Sequence, residues 1–177
     1  MSEKVLLLHG WGGSDFPHWQ SWLAGEIAKD YGTVNFLKFE NYDFPNKDDW
    51  KNQLIKEIES FNPSIVICHS VANILWFHLC NEVELKQIKR LFLVAPPSMN
   101  CDIEELKSFY PCEIPKNLYA DESKIIASTN DPYTSLQELK SLQKELNISL
   151  EILQDAGHIN TDSGFGKWDW ILQEVKK

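Results

Sequence analysis

In Ser64-Ile65-Val66-Ile67-Cys68-His69-Ser70-Val71-Ala72-Asn73-Ile74-Leu75-Trp76, a short apolar run rich in β-branched residues turns a polar corner and enters an almost wholly apolar stretch. Ser64–Cys68 has the length and composition of a strand covered on both faces. Val71–Cys80 reads as a helix packed against the sheet. A serine on so sharp a strand-to-helix turn has the form of a nucleophile elbow. The turn lifts Oγ clear of the sheet, and the next backbone N–H, on Val71, faces a developing oxyanion. Taken alone, Ser70 also has the form of a helix N-cap.

The same alternation runs outward in both directions. Further strand-like runs are Val5–His9, Val34–Phe39, Arg90–Ala95, Lys124–Ser128 and Ser149–Leu153. Between them His18–Tyr31 carries Trp19, Trp22, Leu23, Ile27 and Tyr31 at helical spacing before Gly32 stops it. Asp48–Phe61 places Trp50, Leu54, Ile58 and Phe61 on one face and ends before Pro63. Asp131-Pro132 reads as the cap of a helix Tyr133–Leu146. A last helix starts near Gly164–Gly166. Asn41–Lys47 reads as a loop, and Met99–Glu122 as irregular chain with one helical turn at Ile103–Phe109. The pattern predicts right-handed crossovers and a mostly parallel sheet of about six strands in a three-layer α/β/α sandwich, one domain spanning 1–177. Ligands of such sheets bind beyond the carboxyl ends of the strands, so the residues just after each run are the ones to inspect.

After the first run comes His9-Gly10-Trp11-Gly12-Gly13-Ser14. No Gly-Lys-Ser/Thr follows, and Asp15 stands where a dinucleotide loop needs its third glycine, so neither phosphate motif is met. What remains is a loop whose backbone N–H groups can approach a small anion, that of Trp11 foremost. After the fifth run comes Ser128-Thr129-Asn130-Asp131-Pro132-Tyr133, and after the sixth Asp155-Ala156-Gly157-His158-Ile159-Asn160. Each residue has a bland reading of its own, Asp131 as a cap and His158 as an exposed loop histidine. Together, serine, acid and histidine follow the chain order of α/β-hydrolases, each at a strand's carboxyl end. Ser70 is then the nucleophile, His158 its general base, and Asp131 the group that orients the imidazole. Asp155 and Asp102 are the alternative acids. Trp11 and Phe165, in loops facing the site, are the expected substrate contacts. His18 and His78 are expected on helices as partly exposed residues, and His9 beneath the first loop.

These residues resemble a known family, the small serine hydrolases of the retinoblastoma-binding-protein-nine and YdeN type. The resemblance spans nearly the whole chain. It rests on His9–Gly13 with His18-Trp19-Gln20, on the Cys68–Ala72 corner, on Ser128–Tyr133, and on Gly157–Asn160 followed by Ser163–Gly166 and Trp168. It implies a minimal α/β-hydrolase fold with little or no lid, carries the triad onto Ser70, Asp131 and His158, and implies hydrolysis of carboxylic esters. Members usually keep glycine at the positions of Cys68 and Ala72, which puts the strength of activity in question. A catalytically weak or inactive binding module on the same fold is the alternative function, and a flavodoxin-like nucleotide binder a third.

Composition narrows the partners. With 17 Lys and Arg against 26 Asp and Glu, the net charge of −9 offers no basic stripe for nucleic acid. No run approaches the ~18 uncharged apolar residues of a membrane span. The four cysteines lack C-x-x-C pairing or nearby histidines at zinc-ligand spacing. The sequence therefore predicts a cytoplasmic protein with reduced thiols that needs no metal or cofactor. It predicts a small-molecule ester or acyl substrate, and nothing in it indicates a protein partner.

Overall fold

The structure is a computed structural model and describes residues 3–177. Six strands form one sheet: β1 (Glu3–Leu8), β2 (Gly32–Leu37), β3 (Ile65–His69), β4 (Ile88–Val94), β5 (Ala120–Ser128) and β6 (Ser149–Leu153). Every neighbouring pair is parallel, in the order β2-β1-β3-β4-β5-β6. Among the described residues five α-helices complete the sandwich: α1 (Trp19–Asp30), α2 (Lys47–Phe61), α3 (Val71–Glu82), α4 (Leu136–Leu146) and α5 (Asp169–Lys176). None of the described helices is long and apolar enough to cross a membrane.

The strand sequences explain why both faces are covered. Val5, Leu6, Leu7 and Leu8 of β1 and Ile65, Val66, Ile67 and Cys68 of β3 are all fully buried. Successive side chains in a strand point to opposite faces, so such unbroken apolar runs need a helical layer on each side. Leu6, Leu8, Val66 and Cys68 share one core with residues of α2, α3 and α4. Val5, Leu7, Ile65 and Ile67 share the other with α1 and α5. The chain leaves β1 toward one sheet edge and returns through β3 toward the other. The carboxyl ends of β1 and β3 thus flank the switch point where such sheets open a crevice.

Three boundaries differ from the sequence reading. The helix expected to open at Asp131-Pro132 begins at Leu136, because Ser135 and Glu138 form a reciprocal capping box there. This releases Asp131 from any duty as that helix's cap. The last helix starts at Asp169, beyond a 3-10 turn at Thr161–Ser163 that ends in left-handed Gly164. Ile103–Phe109 is a 3-10 turn over Glu104–Phe109, and the chain from Ala95 to Tyr119 holds no α-helix at all. A substantial lid domain has no room in that connection.

Ile67 lies on a central strand with no exposed surface. Ile67→Ala is expected to lower the unfolding free energy by about 2–5 kcal/mol through lost transfer energy and a residual cavity. A urea melt read by tryptophan fluorescence checks this, and a loss below ~1 kcal/mol would contradict this packing.

Candidate active site

Ser70 ends the turn between β3 and α3 with φ 56° and ψ −130°, and its side chain makes no capping hydrogen bond to the helix it precedes. A non-glycine residue held there needs support from its surroundings. The Ser70 N–H donates to the Val94 carbonyl at 3.0 Å. The buried Asn73 amide donates to the Ser70 carbonyl at 2.7 Å and to the Val94 carbonyl at 2.9 Å, clamping the corner to the end of β4. Asn73 is invisible as a functional residue in the sequence, where it is one polar position in an apolar helix. Cys68 and Ala72 are both fully buried and are small enough to let strand and helix close on the turn.

The first loop meets this corner edge to edge. A Cβ on Gly10 would lie 2.6 Å from the Ser70 Cβ and 3.1 Å from its Oγ, so only hydrogen fits there. His9 sits beneath, with Nε2 accepting from the Phe39 N–H at 2.9 Å. That bond places the proton on Nδ1, which donates to the Gly10 carbonyl at 2.7 Å. The Gly10 carbonyl and the Trp11 N–H belong to one peptide plane, so His9 fixes the direction of that N–H. Among the described residues, neither the Trp11 nor the Val71 N–H has a hydrogen-bond acceptor.

His158 arrives from the loop after β6. Its Nδ1 lies 2.9 Å and 3.0 Å from the two carboxylate oxygens of Asp131, and its Nε2 lies 2.8 Å from Ser70 Oγ. An ionised carboxylate only accepts, so Nδ1 carries the proton and the Nε2 lone pair faces the serine hydroxyl. Asp131 Oδ1 also accepts from the Tyr133 N–H at 2.9 Å. The structure thus brings Ser70, Asp131 and His158 into one hydrogen-bonded chain. Chemically, this arrangement can draw a proton from the hydroxyl while keeping the resulting imidazolium paired.

Two loops hold the histidine by cross-bonding. The amides of Asp155, Ala156 and Gly157 donate to Thr129 Oγ1, Ser128 Oγ and Asn130 Oδ1 at 2.9, 3.0 and 2.7 Å. The His158 N–H donates to Ser163 Oγ, and Asn160 Oδ1 accepts from the same hydroxyl. From below, His69 Nε2 donates to the His158 carbonyl at 3.0 Å and Trp19 Nε1 to the Ile159 carbonyl at 2.8 Å. Ile159 itself takes φ 51°, a costly conformation for a β-branched residue. The two segments singled out by sequence as Ser128–Tyr133 and Gly157–Asn160 are therefore one interlocked unit.

A cavity of about 220 Å³ opens on Ser70 and His158, walled by Trp11, Pro97, Cys101, Ile103, Leu106 and Tyr133 among others. Trp11 lines it as expected. Phe165 does not: its half-buried ring packs edge-on against Trp168 at 5.1 Å, against the core that α1 and α5 share. His18 also departs from expectation: it is buried at the N-cap of α1, and it lines the cavity. Asp102 and Asp155, the alternative acids, make no hydrogen bond to His158 among the described residues. Among the described residues no Lys or Arg lines the cavity, and Asp162 is the one carboxylate on its wall.

The comparisons with known proteins agree with this architecture. The family model described as serine hydrolase matches residues 5–177. The chain belongs to the serine hydrolase family. YdeN of Bacillus subtilis is 23% identical over 171 residues, covering 93% of this chain and 90% of that protein. The crystal structure of YdeN superposes with a TM-score of 0.88 at 20% identity, covering 98% of this chain and 97% of that one. A YdeN-like protein from Pectobacterium atrosepticum gives 0.78 at 23% identity, covering 99% and 89%. An esterase domain from Rhodothermus marinus gives 0.67 at 12% identity, covering 98% and 85%. The fold is that of an α/β-hydrolase, and the YdeN likeness read from short motifs extends over nearly the whole chain.

Two expectations follow from the site's geometry. Gly10→Ala, whose methyl collides with Ser70, should lower the melting temperature and, in the protein that still folds, cut any Ser70-dependent reaction at least about tenfold, since a misplacement near 1 Å can cost ~100-fold. Unaltered reactivity in a folded variant would contradict the close approach. The second concerns acid. Burial pushes His9 and His69 below the usual imidazole value, and pushes His18 down from 6.5 to about 4, with the nearby His158 and His9 adding to the effect. The unfolded chain therefore takes up protons at His18 in this window that the folded chain refuses. Stability rises with pH between about 4 and 6.5 and falls as acid is added through that range. His18→Asn should flatten the slope by up to ~1.4 kcal/mol per pH unit, read by urea melts at stepped pH.

Proposed function

We propose that this serine hydrolase cleaves small carboxylic esters or related acyl compounds through an acyl-serine intermediate, with Ser70, His158 and Asp131 as its catalytic triad. The single observation that carries the reading is the chain Asp131–His158–Ser70, with hydrogen bonds of 2.8–3.0 Å and the imidazole lone pair on the serine side. Ser70 Oγ attacks the substrate carbonyl as His158 Nε2 takes its proton. The tetrahedral oxyanion accepts from the unengaged N–H groups of Val71 and Trp11. Each such donor is worth roughly 2.7–4 kcal/mol in the transition state. Imidazolium then gives the proton to the leaving alkoxide, and the alcohol departs. Water repeats the sequence on the acyl-serine and releases the carboxylic acid. Asp131 holds the tautomer throughout and pairs with the transient cation.

The cavity argues for a small substrate. Its volume of about 220 Å³ falls below the ~300–1,000 Å³ of sites for drug-sized ligands. Its wall offers aromatic and aliphatic surface with no Lys or Arg among the described residues, which favours neutral acyl groups over anionic ones.

A fluorophosphonate probe tests the reading. The wild type should be labelled covalently, Ser70→Ala not at all, and His158→Ala more slowly by roughly 10²–10⁴, the range a positioned general base supplies. Asp131→Asn should slow labelling and the hydrolysis of 4-nitrophenyl acetate in parallel. A folded wild type that resists the probe, or labelling that persists in Ser70→Ala, would end this proposal.

A further inference from the structure

His18 is a buried donor without a partner, and it lies on the wall of the Ser70 cavity. Six buried side-chain atoms lack a hydrogen bond among the described residues: Ser14 Oγ, His18 Nε2, Gln20 Oε1, Asn73 Oδ1, Tyr110 OH and Thr134 Oγ1. Of the residues that carry them, His18 is the one that lines the cavity holding Ser70 and His158. Orphaned buried polar atoms are uncommon in folded proteins and call for an explanation.

The tautomer follows from the fold. At the N-cap of α1, His18 Nδ1 accepts from the Gln20 N–H at 3.2 Å, so Nδ1 is the unprotonated nitrogen and Nε2 bears the hydrogen. The ring is held between neighbours, 5.0 Å from the His69 ring and 5.5 Å from that of Trp19. With 5% of its surface exposed, it has little freedom to turn toward solvent. His69 spends its own Nε2–H on the His158 carbonyl, so His18 carries the unspent donor of this imidazole cluster.

We propose that His18 is a substrate-binding residue whose Nε2–H donates to an oxygen acceptor that the substrate carries in addition to its scissile carbonyl. This rests on the esterase reading above and sharpens it to a class, esters with an ether, hydroxyl or second carbonyl oxygen close to the scissile bond. Burial keeps the imidazole neutral down to about pH 4, so the donor attracts acceptor oxygens without recruiting carboxylates by charge. A site built to donate a hydrogen bond discriminates strongly against an isostere lacking the acceptor, because the donor is then left unpaired.

Two isosteric pairs test this, each rate normalised to the ester's own alkaline hydrolysis. The first pair, 4-nitrophenyl methoxyacetate against 4-nitrophenyl butyrate, varies an oxygen in the acyl part. The second, 2-methoxyethyl butyrate against n-pentyl butyrate's shorter homologue n-butyl butyrate, varies one in the alcohol part. The wild type should prefer the oxygen-bearing member of one pair by about tenfold or more in kcat/KM. His18→Asn keeps a good helix cap but withdraws the ring donor. It should abolish that preference by lowering kcat/KM for the oxygen-bearing ester and not for its isostere, a split that a merely structural role would not produce. A wild-type ratio near one in both pairs overturns the proposal, as does a preference that survives in His18→Asn. If the variant does not fold, the wild-type ratios decide in the same way. A wild type that the fluorophosphonate does not label and that hydrolyses none of the four esters is a different outcome, and it refutes the esterase reading itself.

Discussion

The corner at Ser70 is the constraint on which the site depends. Its left-handed backbone is sustained by two donors that converge on the Val94 carbonyl: the Ser70 N–H and the Asn73 amide. Those bonds tie the start of α3 to the end of the adjacent β4, so the turn cannot relax without disturbing the sheet. Gly10 then closes against Ser70 from the opposite strand, β1. Strain, clamp and close approach all meet at the switch point of the sheet, where the crossovers leave a gap between helices. Placing Oγ outside the sheet thus follows from topology and three local contacts.

The acid and the histidine are positioned by a different device. Their loops follow the neighbouring strands β5 and β6, whose parallel register brings Ser128 beside Leu153. From there side chains of one loop satisfy main-chain donors of the other, and the resulting unit tolerates left-handed backbone at Asp155, Gly157 and Ile159. His69 and Trp19 brace it from the opposite side by taking up the carbonyls of His158 and Ile159. His158 is therefore located from β3 and α1 as much as from its own loop.

Much of this was legible in sequence because continuous apolar runs leave a parallel sheet little alternative. Ser70, Asp131 and His158 could be singled out because strand ends in such a sheet share one side of the molecule. The hidden parts depend on side-chain direction. Asp131-Pro132 carries a sound helix-start signal, yet the stronger Ser135/Glu138 box three residues on captured the cap. Phe165 stands in a loop near the site, but its half-buried ring packs edge-on against Trp168 instead of lining the cavity. His18 looked like an ordinary helix residue because nothing in local sequence reports that its helix begins at the cavity wall. Asn73 had no signal beyond being polar in an apolar helix.

The connection from Ala95 to Tyr119 supplies Pro97, Cys101, Ile103 and Leu106 to the cavity wall, yet it contributes neither strand nor α-helix. Part of the wall beside Ser70 and His158 is thereby carried on a piece of chain that holds none of the three hydrogen-bonded residues. Substitutions and length changes in that connection can redraw the contour of the chamber while the sheet register and the Ser70–His158–Asp131 alignment stay as they are. In evolutionary terms the molecule is modular at this seam, and divergence in preference between relatives has a segment in which to accumulate without loss of the scaffold.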